Sequence, residues 1–419
     1  MSRRDWIKLF ASSWEEFRMH KTSRILLKDL LITTKDGDWG KAEEQDGYEK
    51  YQVIRATDFH DVSVGDTRKV PVRFLNQKNV QRRTLEPGDI LIETAGGSPG
   101  RPTGRTMIFS ERVQAGFSSP VTCASFARFM RANSEIVDPR YLYWYLQSMY
   151  LSGEIEQYQV QHTGVARFQY TDFAASHLVP LPLIGTQQAI AEVLGALDDK
   201  IAANTKLADT ADDLAKTMVR MTVTSLTQRL DEAANIVMGT SPKGSDLNEN
   251  SEGIAFFQGV RDFGMRFPSR RVSTTNALRL AQKGDILLSV RAPVGEVNFS
   301  QDEVCIGRGL SAVRHKFGRQ ATLFHLLRHE SSVWAPYEAE GTVFGSINKS
   351  QLHGILVPTV REDIASEIES KVGAIENTIA GFLAENELLQ LTRDTLLPQL
   401  MSGKLSVRDA EHIAQQAGA

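Results

Sequence analysis

Two passages of this sequence, well separated along the chain, follow one plan, and the duplication limits the folds open to the whole. Leu178 to Lys200, "LVPLPLIGTQQAIAEVLGALDDK", stops an apolar run with two prolines and continues as a helix. Ile355 to Phe382, "ILVPTVREDIASEIESKVGAIENTIAGF", does the same, with "GALD" become "GAIE". The repetition extends upstream. "LEPGDILIETAGGSPGRPTG" from Leu85 answers to "AQKGDILLSVRAPVGEV" from Ala281, each a glycine turn, an apolar strand and a loop carrying Gly and Arg. Bulky segments that read as helices follow, "DPRYLYWYLQS" from Asp138 and "ATLFHLLRHES" from Ala321, then polar glycine-containing loops, "HTGVARFQYTDF" and "EGTVFGSINKSQL". A chain of 419 residues exceeds one ordinary core. The order of motifs therefore predicts two like domains in a pseudo-two-fold internal repeat.

The helices that close the copies are unusual in their spacing. Ile190, Leu194, Leu197, Ile201, Asn204, Ala208, Ala211, Ala215 and Met218 alternate four and three apart, as do Ile368, Val372, Ile375, Ile379, Phe382, Asn386 and Leu389. That is the seam of a coiled coil rather than a broad core face. One asparagine interrupts each seam, a device that fixes register at a cost in stability. Two antiparallel partners are expected, although separate amphipathic helices, each on its own domain, fit the same spacing. Thr186 is the expected N-cap of the first helix, and Thr359 with Glu362 forms a capping-box pattern for the second. A helix from Thr186 to Leu226 would extend roughly 60 Å. The expected class is α+β: a domain over residues 1–183, a first long helix over 184–228, a second domain over 229–358, and a second helix with its tail over 359–419.

Charge follows the same division. The net charge is −3, yet Thr67 to Arg131 holds 11 Lys/Arg against 4 Asp/Glu, and Gln258 to Arg319 holds 11 against 5. Acidic residues prevail from Ile184 to Glu232 and from Arg361 to Ala419. Two basic bodies set between acidic helices suit nucleic acid held at two places, while solvated faces give the same counts. Cys123 and Cys305 stand far apart without a CxxC pair, which excludes a disulfide framework and a cysteine-rich zinc site and fits a reducing cytoplasm. The first residues lack an apolar signal core, and the uncharged run from Phe173 to Ala191 is broken by Pro180 and Pro182, so neither export nor a membrane is expected.

Motifs for catalysis are missing. "AGGSPGRPTGRT" from Ala95 has no GxxxxGK[ST], and its prolines remove donors that a phosphate cradle needs. There is neither an Asn-Pro-Pro-aromatic segment for holding a flipped base nor a glycine fingerprint for a methyl donor. His325 and His329 have the spacing of metal ligands on a helix, but Leu326 stands where HExxH has glutamate, and both read as packing or surface histidines. Asp198-Asp199 and Asp212-Asp213 read as solvated helix faces. What remains is chemistry for reading DNA, since a guanidinium can donate two hydrogen bonds to guanine. The candidate contacts, to bases or to phosphates, are Arg82, Arg83, Arg101 and Arg105 in the first copy. In the second they are Arg261, Arg266, Arg270, Arg271, Arg291 and Arg308.

"GDIL" twice, "DPRYLYWYLQS", "VPLPLIGTQQAIAEVLGALDDKIAANTKL" and the terminal "LLPQLMSGKLSV" together resemble the specificity subunits of type I restriction-modification systems over essentially the whole chain. The resemblance implies two target recognition domains that read the halves of a bipartite double-stranded DNA site. It implies two long antiparallel helices that separate them and dock modification methyltransferase subunits and restriction endonuclease subunits. Catalysis, with S-adenosylmethionine, ATP and Mg, is then the partners' work, and this chain binds no cofactor or metal. A DNA-binding scaffold without sequence preference is the alternative, and a fused DNA-modifying enzyme a further one.

Overall fold

The Gly-Asp pair of each copy organises the strand that follows it. Gly88 and Gly284 adopt φ values of 97° and 83°, which a Cβ opposes. Asp89 and Asp285 then accept the backbone N–H of Glu86 and Gln282, both at 2.8 Å, closing the turn. Each aspartate also receives an arginine from the neighbouring strand, Arg131 Nε at 2.8 Å and Arg314 Nε at 2.6 Å. The strands so anchored, Asp89–Glu93 and Ile286–Ser289, are buried along their whole length.

The computed structural model describes residues 23–97, 101–162, 165–329, 331–334, 337 and 345–419. They form two compact units, Met1–Lys206 with Ala384–Ala419, and Leu207–Leu383. This division passes through both long helices instead of falling at their ends.

In the first unit, Leu31–Asp36, Ala127–Ala132, Asp89–Glu93 and Thr106–Phe109 lie side by side in that order, all antiparallel. A second sheet places Tyr48–Ile54 between Val72–Asn76, antiparallel, and Val121–Cys123, parallel. Helix α1, Pro139–Leu151, begins where the Asp138 carboxylate caps the N–H groups of Arg140 and Tyr141 and proline occupies the first turn. It buries Tyr141, Leu142, Trp144, Leu146 and Met149 in the main core of this unit. The apolar proline segment is a short strand, Leu178–Leu181, paired with Ser23–Leu26. An edge pair tolerates Pro180 because no donor is required on its outer side.

Helix α2, Ile184–Arg220, leaves that strand and contributes its first part to this unit. Ile190, Leu194, Leu197 and Ile201 are buried with Leu389, Leu396, Leu397 and Leu400. The pairing is antiparallel, Asp198 taking Arg393 at 2.6 Å and Asn204 donating to Asn386 Oδ1 at 3.0 Å.

The second unit repeats this arrangement. Ala234–Met238, Leu310–His315, Ile286–Ser289 and Val297–Phe299 reproduce the four-stranded order, and Ile254–Phe257 again has an antiparallel neighbour, Val272–Thr274, and a parallel one, Val304–Ile306. Cys123 and Cys305 occupy equivalent strands and are both buried. Burial pushes the Cys123 thiol up to about 12, which leaves it inert. Helix α3, Gln320–His329, stands in for α1. Helix α4, Ala365–Met401, enters after the edge pair of Val223–Arg229 with Leu356–Val360. In this unit Ala215 and Val219 of α2 share a core with Ile368 and Val372 of α4.

Both expected N-caps are corrected. Helix α2 starts at Ile184, which places Thr186 inside its first turn. Thr359 lies in a strand, its hydroxyl paired with that of Thr224 at 2.7 Å, and Glu362, in the turn that follows, pairs with Arg319, so a strand contact and an ion pair take the two halves of the box. Among the described residues no helix is long and apolar enough to cross a membrane.

Candidate nucleic-acid interface

The sheet of the second unit delivers its candidate residues at the end of the buried strand Ile286–Ser289. The Val290 N–H donates to Gly309 O at 2.9 Å, and Ile347 N–H donates to Val290 O at 2.9 Å. These bonds leave Arg291 facing Ser346 across an isolated antiparallel bridge. Arg308 is carried on the adjoining turn, where a Cβ on Gly239 would stand 2.1 Å from Gly307 O, so only glycine lets the two segments meet. Arg291 and Arg308 line one open cleft with Met238, Ser346 and Asn348. Among the described residues neither guanidinium has an ion-pair or hydrogen-bond partner. Two uncommitted cations at the mouth of a rigid sheet can donate to phosphate or to a guanine edge.

The first unit builds the same bridge with the residue types exchanged. Ala95, which follows the strand Asp89–Glu93 as Arg291 follows Ile286–Ser289, pairs with Arg167 of the strand Val165–Phe168. Arginine thus stands on the glycine-loop side of the bridge in one unit and on the opposite side in the other. Arg167 is exposed, and the sequence reading missed it because its segment read as a loop. The exposed Phe126 sits at the turn where the second unit has Gly309: its carbonyl accepts Thr94 N–H at 2.9 Å, as Gly309 O accepts Val290 N–H.

The other candidates separate into free, tethered and buried arginines. Arg82, Arg101 and Arg261 are exposed, and their guanidiniums are unpaired among the described residues. Arg83 donates to Asp36 O at 3.0 Å. Arg270 folds back on Ser251 O at 2.8 Å and Gly253 O at 2.9 Å, and Arg271 pairs with Asp262 at 2.9 Å. Exposed pairs of this kind are worth about 0–1 kcal/mol and exchange readily for phosphate. Arg105 is committed elsewhere. It forms a two-pronged pair with Glu93 at 3.0 and 2.8 Å and donates to Ala56 O at 3.0 Å, and the Glu93 side chain is only 4% exposed.

Arg266 requires a correction. It is 0% exposed, so it cannot touch DNA. Its Nε donates to Glu376 Oε2 at 2.7 Å and its Nη2 to Asp212 Oδ1, while Phe324 lies beneath the guanidinium at 5.2 Å. Asp212 is therefore no solvated helix face. Burial opposes ionisation of Asp212, yet His329, Arg328 and Arg266 hold it well below the usual carboxylate range. Burial likewise opposes ionisation of Glu376, and the His325 hydrogen bond with the Arg266 charge outweighs it, lowering that carboxyl too. Asp198, read as a surface carboxylate, is half-buried against Arg393.

Residues 23–211 match the family model of the type I restriction modification DNA specificity domain. The protein named as the MjaX type I restriction enzyme specificity subunit of Methanocaldococcus jannaschii is 25% identical over 409 residues, which cover 91% of this chain and 93% of that one. The S subunit of the type I restriction-modification system from M. genitalium overlays with a TM-score of 0.56 at 14% identity, over 91% of this chain and 96% of that one. That overlay shows a shared fold. The HsdS subunit from Thermoanaerobacter tengcongensis is 21% identical, with 92% of this chain and 97% of that one covered and a TM-score of 0.34.

Proposed function

The chain belongs to the type I restriction-modification specificity family, and from that premise we propose that it reads a bipartite DNA target with one half assigned to each unit. It is the non-catalytic specificity subunit, and chemistry resides on other polypeptides. The observation that carries the two-reader reading is the duplicated bridge: the segment after the buried strand pairs with a glycine-containing loop in both units, and each bridge presents one exposed arginine, Arg167 or Arg291. Equivalent scaffolds with different residues at equivalent points suit two half-sites of different sequence. Loops vary while the sheets that hold them are conserved in form.

In this reading Arg82, Arg83, Arg101, Arg261, Arg270, Arg271, Arg291 and Arg308 supply the contacts to bases and phosphates, and Arg167 joins them. The acidic long helices stay off the phosphates and dock methyltransferase and restriction subunits, with S-adenosylmethionine, ATP and Mg held there.

Co-expression with a type I modification subunit, followed by genome-wide mapping of methylated adenine, tests the proposal. The expected motif has two specified halves and a fixed unspecified gap. Exchanging residues 1–180 for those of a relative should change one half alone. Changes in both halves, or methylation without sequence preference, would overturn the two-reader model in favour of a scaffold.

A further inference from the structure

The imidazoles of His325 and His329 project from one face of α3 toward a single carboxylate of α2. His325 Nδ1 stands 4.0 Å from Asp212 Oδ1 and His329 Nε2 stands 3.9 Å from the same oxygen. Both nitrogens are buried and neither has a hydrogen-bond partner. An unpaired buried polar atom is costly, and two of them aimed at one point call for an occupant. The three ligand atoms lie within 4.8 Å of one another.

We propose that Asp212, His325 and His329 form a zinc site that joins α3 to α2. Two ligands on a tetrahedral zinc, each about 2.0–2.1 Å from the metal, lie about 3.3 Å apart. Each imidazole nitrogen therefore has to approach Asp212 by less than an ångström. A mixed set of two imidazoles and one carboxylate is a zinc donor set, and it leaves the fourth position for water.

The surroundings prepare the ligands. His325 Nε2 meets Glu376 Oε1 at 2.7 Å, and with that nitrogen donating its proton the lone pair falls on Nδ1, the atom that faces Asp212. Arg266 donates to Asp212 Oδ1, which still offers a second lone pair. Arg328 lies 3.7 Å from Asp212 Oδ2. These two guanidiniums balance the charges of Asp212 and Glu376, so the site binds zinc more weakly than closed cysteine-rich sites do.

The full-length chain, purified without affinity histidines and stripped with chelator, is titrated with zinc alone in competition with a chromophoric chelator, and with cobalt(II) for its visible spectrum. One zinc per chain and the intense visible bands of four-coordinate cobalt are expected in the wild type, with a zinc-dependent rise in Tm. His329→Ala, with circular dichroism as the check on folding, should lose all three. If that variant does not fold, His329→Gln replaces it. Absence of zinc uptake by the folded wild type would overturn the proposal. Equal affinity in a folded His329 variant would also overturn it, by placing the metal elsewhere.

Discussion

Replacing Arg266 with alanine should cost the second unit about 3–5 kcal/mol, the range for breaking a buried pair by removing one partner. The loss arises less from the missing attraction than from what stays behind. Asp212 and Glu376, both largely buried, have been held ionised by this guanidinium, which fills the space between them at 0% exposure. Without it two carboxylates face each other with His325, His329 and Arg328 as their remaining partners. Because the chain has two compact units, a single global midpoint would mix two transitions. Urea denaturation followed by hydrogen exchange at the amides of Gln320–His329 isolates the relevant one. A second variant, Arg266→Met with Asp212→Leu and Glu376→Leu, removes every uncompensated charge of the cluster's centre and should recover most of the loss. A cost below about 1 kcal/mol for Arg266→Ala, or a triple variant weaker than the single one, would refute the account. So would a specific loss of DNA binding in folded Arg266→Ala protein, since a buried guanidinium has no route to the duplex.

Arg291→Ala should relax specificity at one half-site by about 1–3 kcal/mol if the arginine contacts a base, measured as methylation rates on single-base variants of the target; equal weakening on all sequences, with a smaller salt slope, would make it a phosphate contact. Arg105→Ala should lower thermal stability by about 3–5 kcal/mol through the stranded Glu93 and leave the methylated motif unchanged, as read by melting and by methylation mapping. Asn204→Leu alone leaves the buried Asn386 amide short of its partner and should cost about 1–3 kcal/mol, whereas Asn204→Leu with Asn386→Leu should restore or raise the melting temperature. His177, flanked by the Tyr145 hydroxyl at 2.8 Å and the Tyr158 hydroxyl at 3.0 Å, has its pKa lowered by burial. The unfolded chain therefore takes up this proton first, and the first unit should lose stability as pH falls below 6.5, by at most about 1.4 kcal/mol per pH unit. Denaturation midpoints at pH 7.5 and 5.5, compared with those of His177→Gln, measure that contribution.

The duplication was legible because its signals are local. Gly88-Asp89 and Gly284-Asp285 each close a turn within four residues, and the strand that follows is apolar throughout. The seam of α2 and α4 was legible for a similar reason, since helical spacing reports which side chains share a face; Asn204 and Asn386 do meet, although their places in the two copies differ. Segments with two competing local readings were misplaced. Thr359 satisfied the pattern of a helix cap but lies in a strand, because pairing with Val223–Arg229 used its hydroxyl and backbone first. Arg167 read as part of a loop, and only the hairpin gave it a defined bridge to Ala95.

Sequence by itself determined the number of repeated units, the buried strands at their centres and the absence of catalytic motifs, for these depend on neighbours along the chain. Tertiary structure decided which arginines are available. Arg261 and Arg266 stand five residues apart in one polar, arginine-rich stretch, yet one is exposed and the other sealed. The difference comes from Asp212 and Glu376, 54 and 110 residues away from Arg266, which supply the charges that make burying a guanidinium tolerable. A charge takes its role from the groups that replace its water, and folding alone brings those groups together.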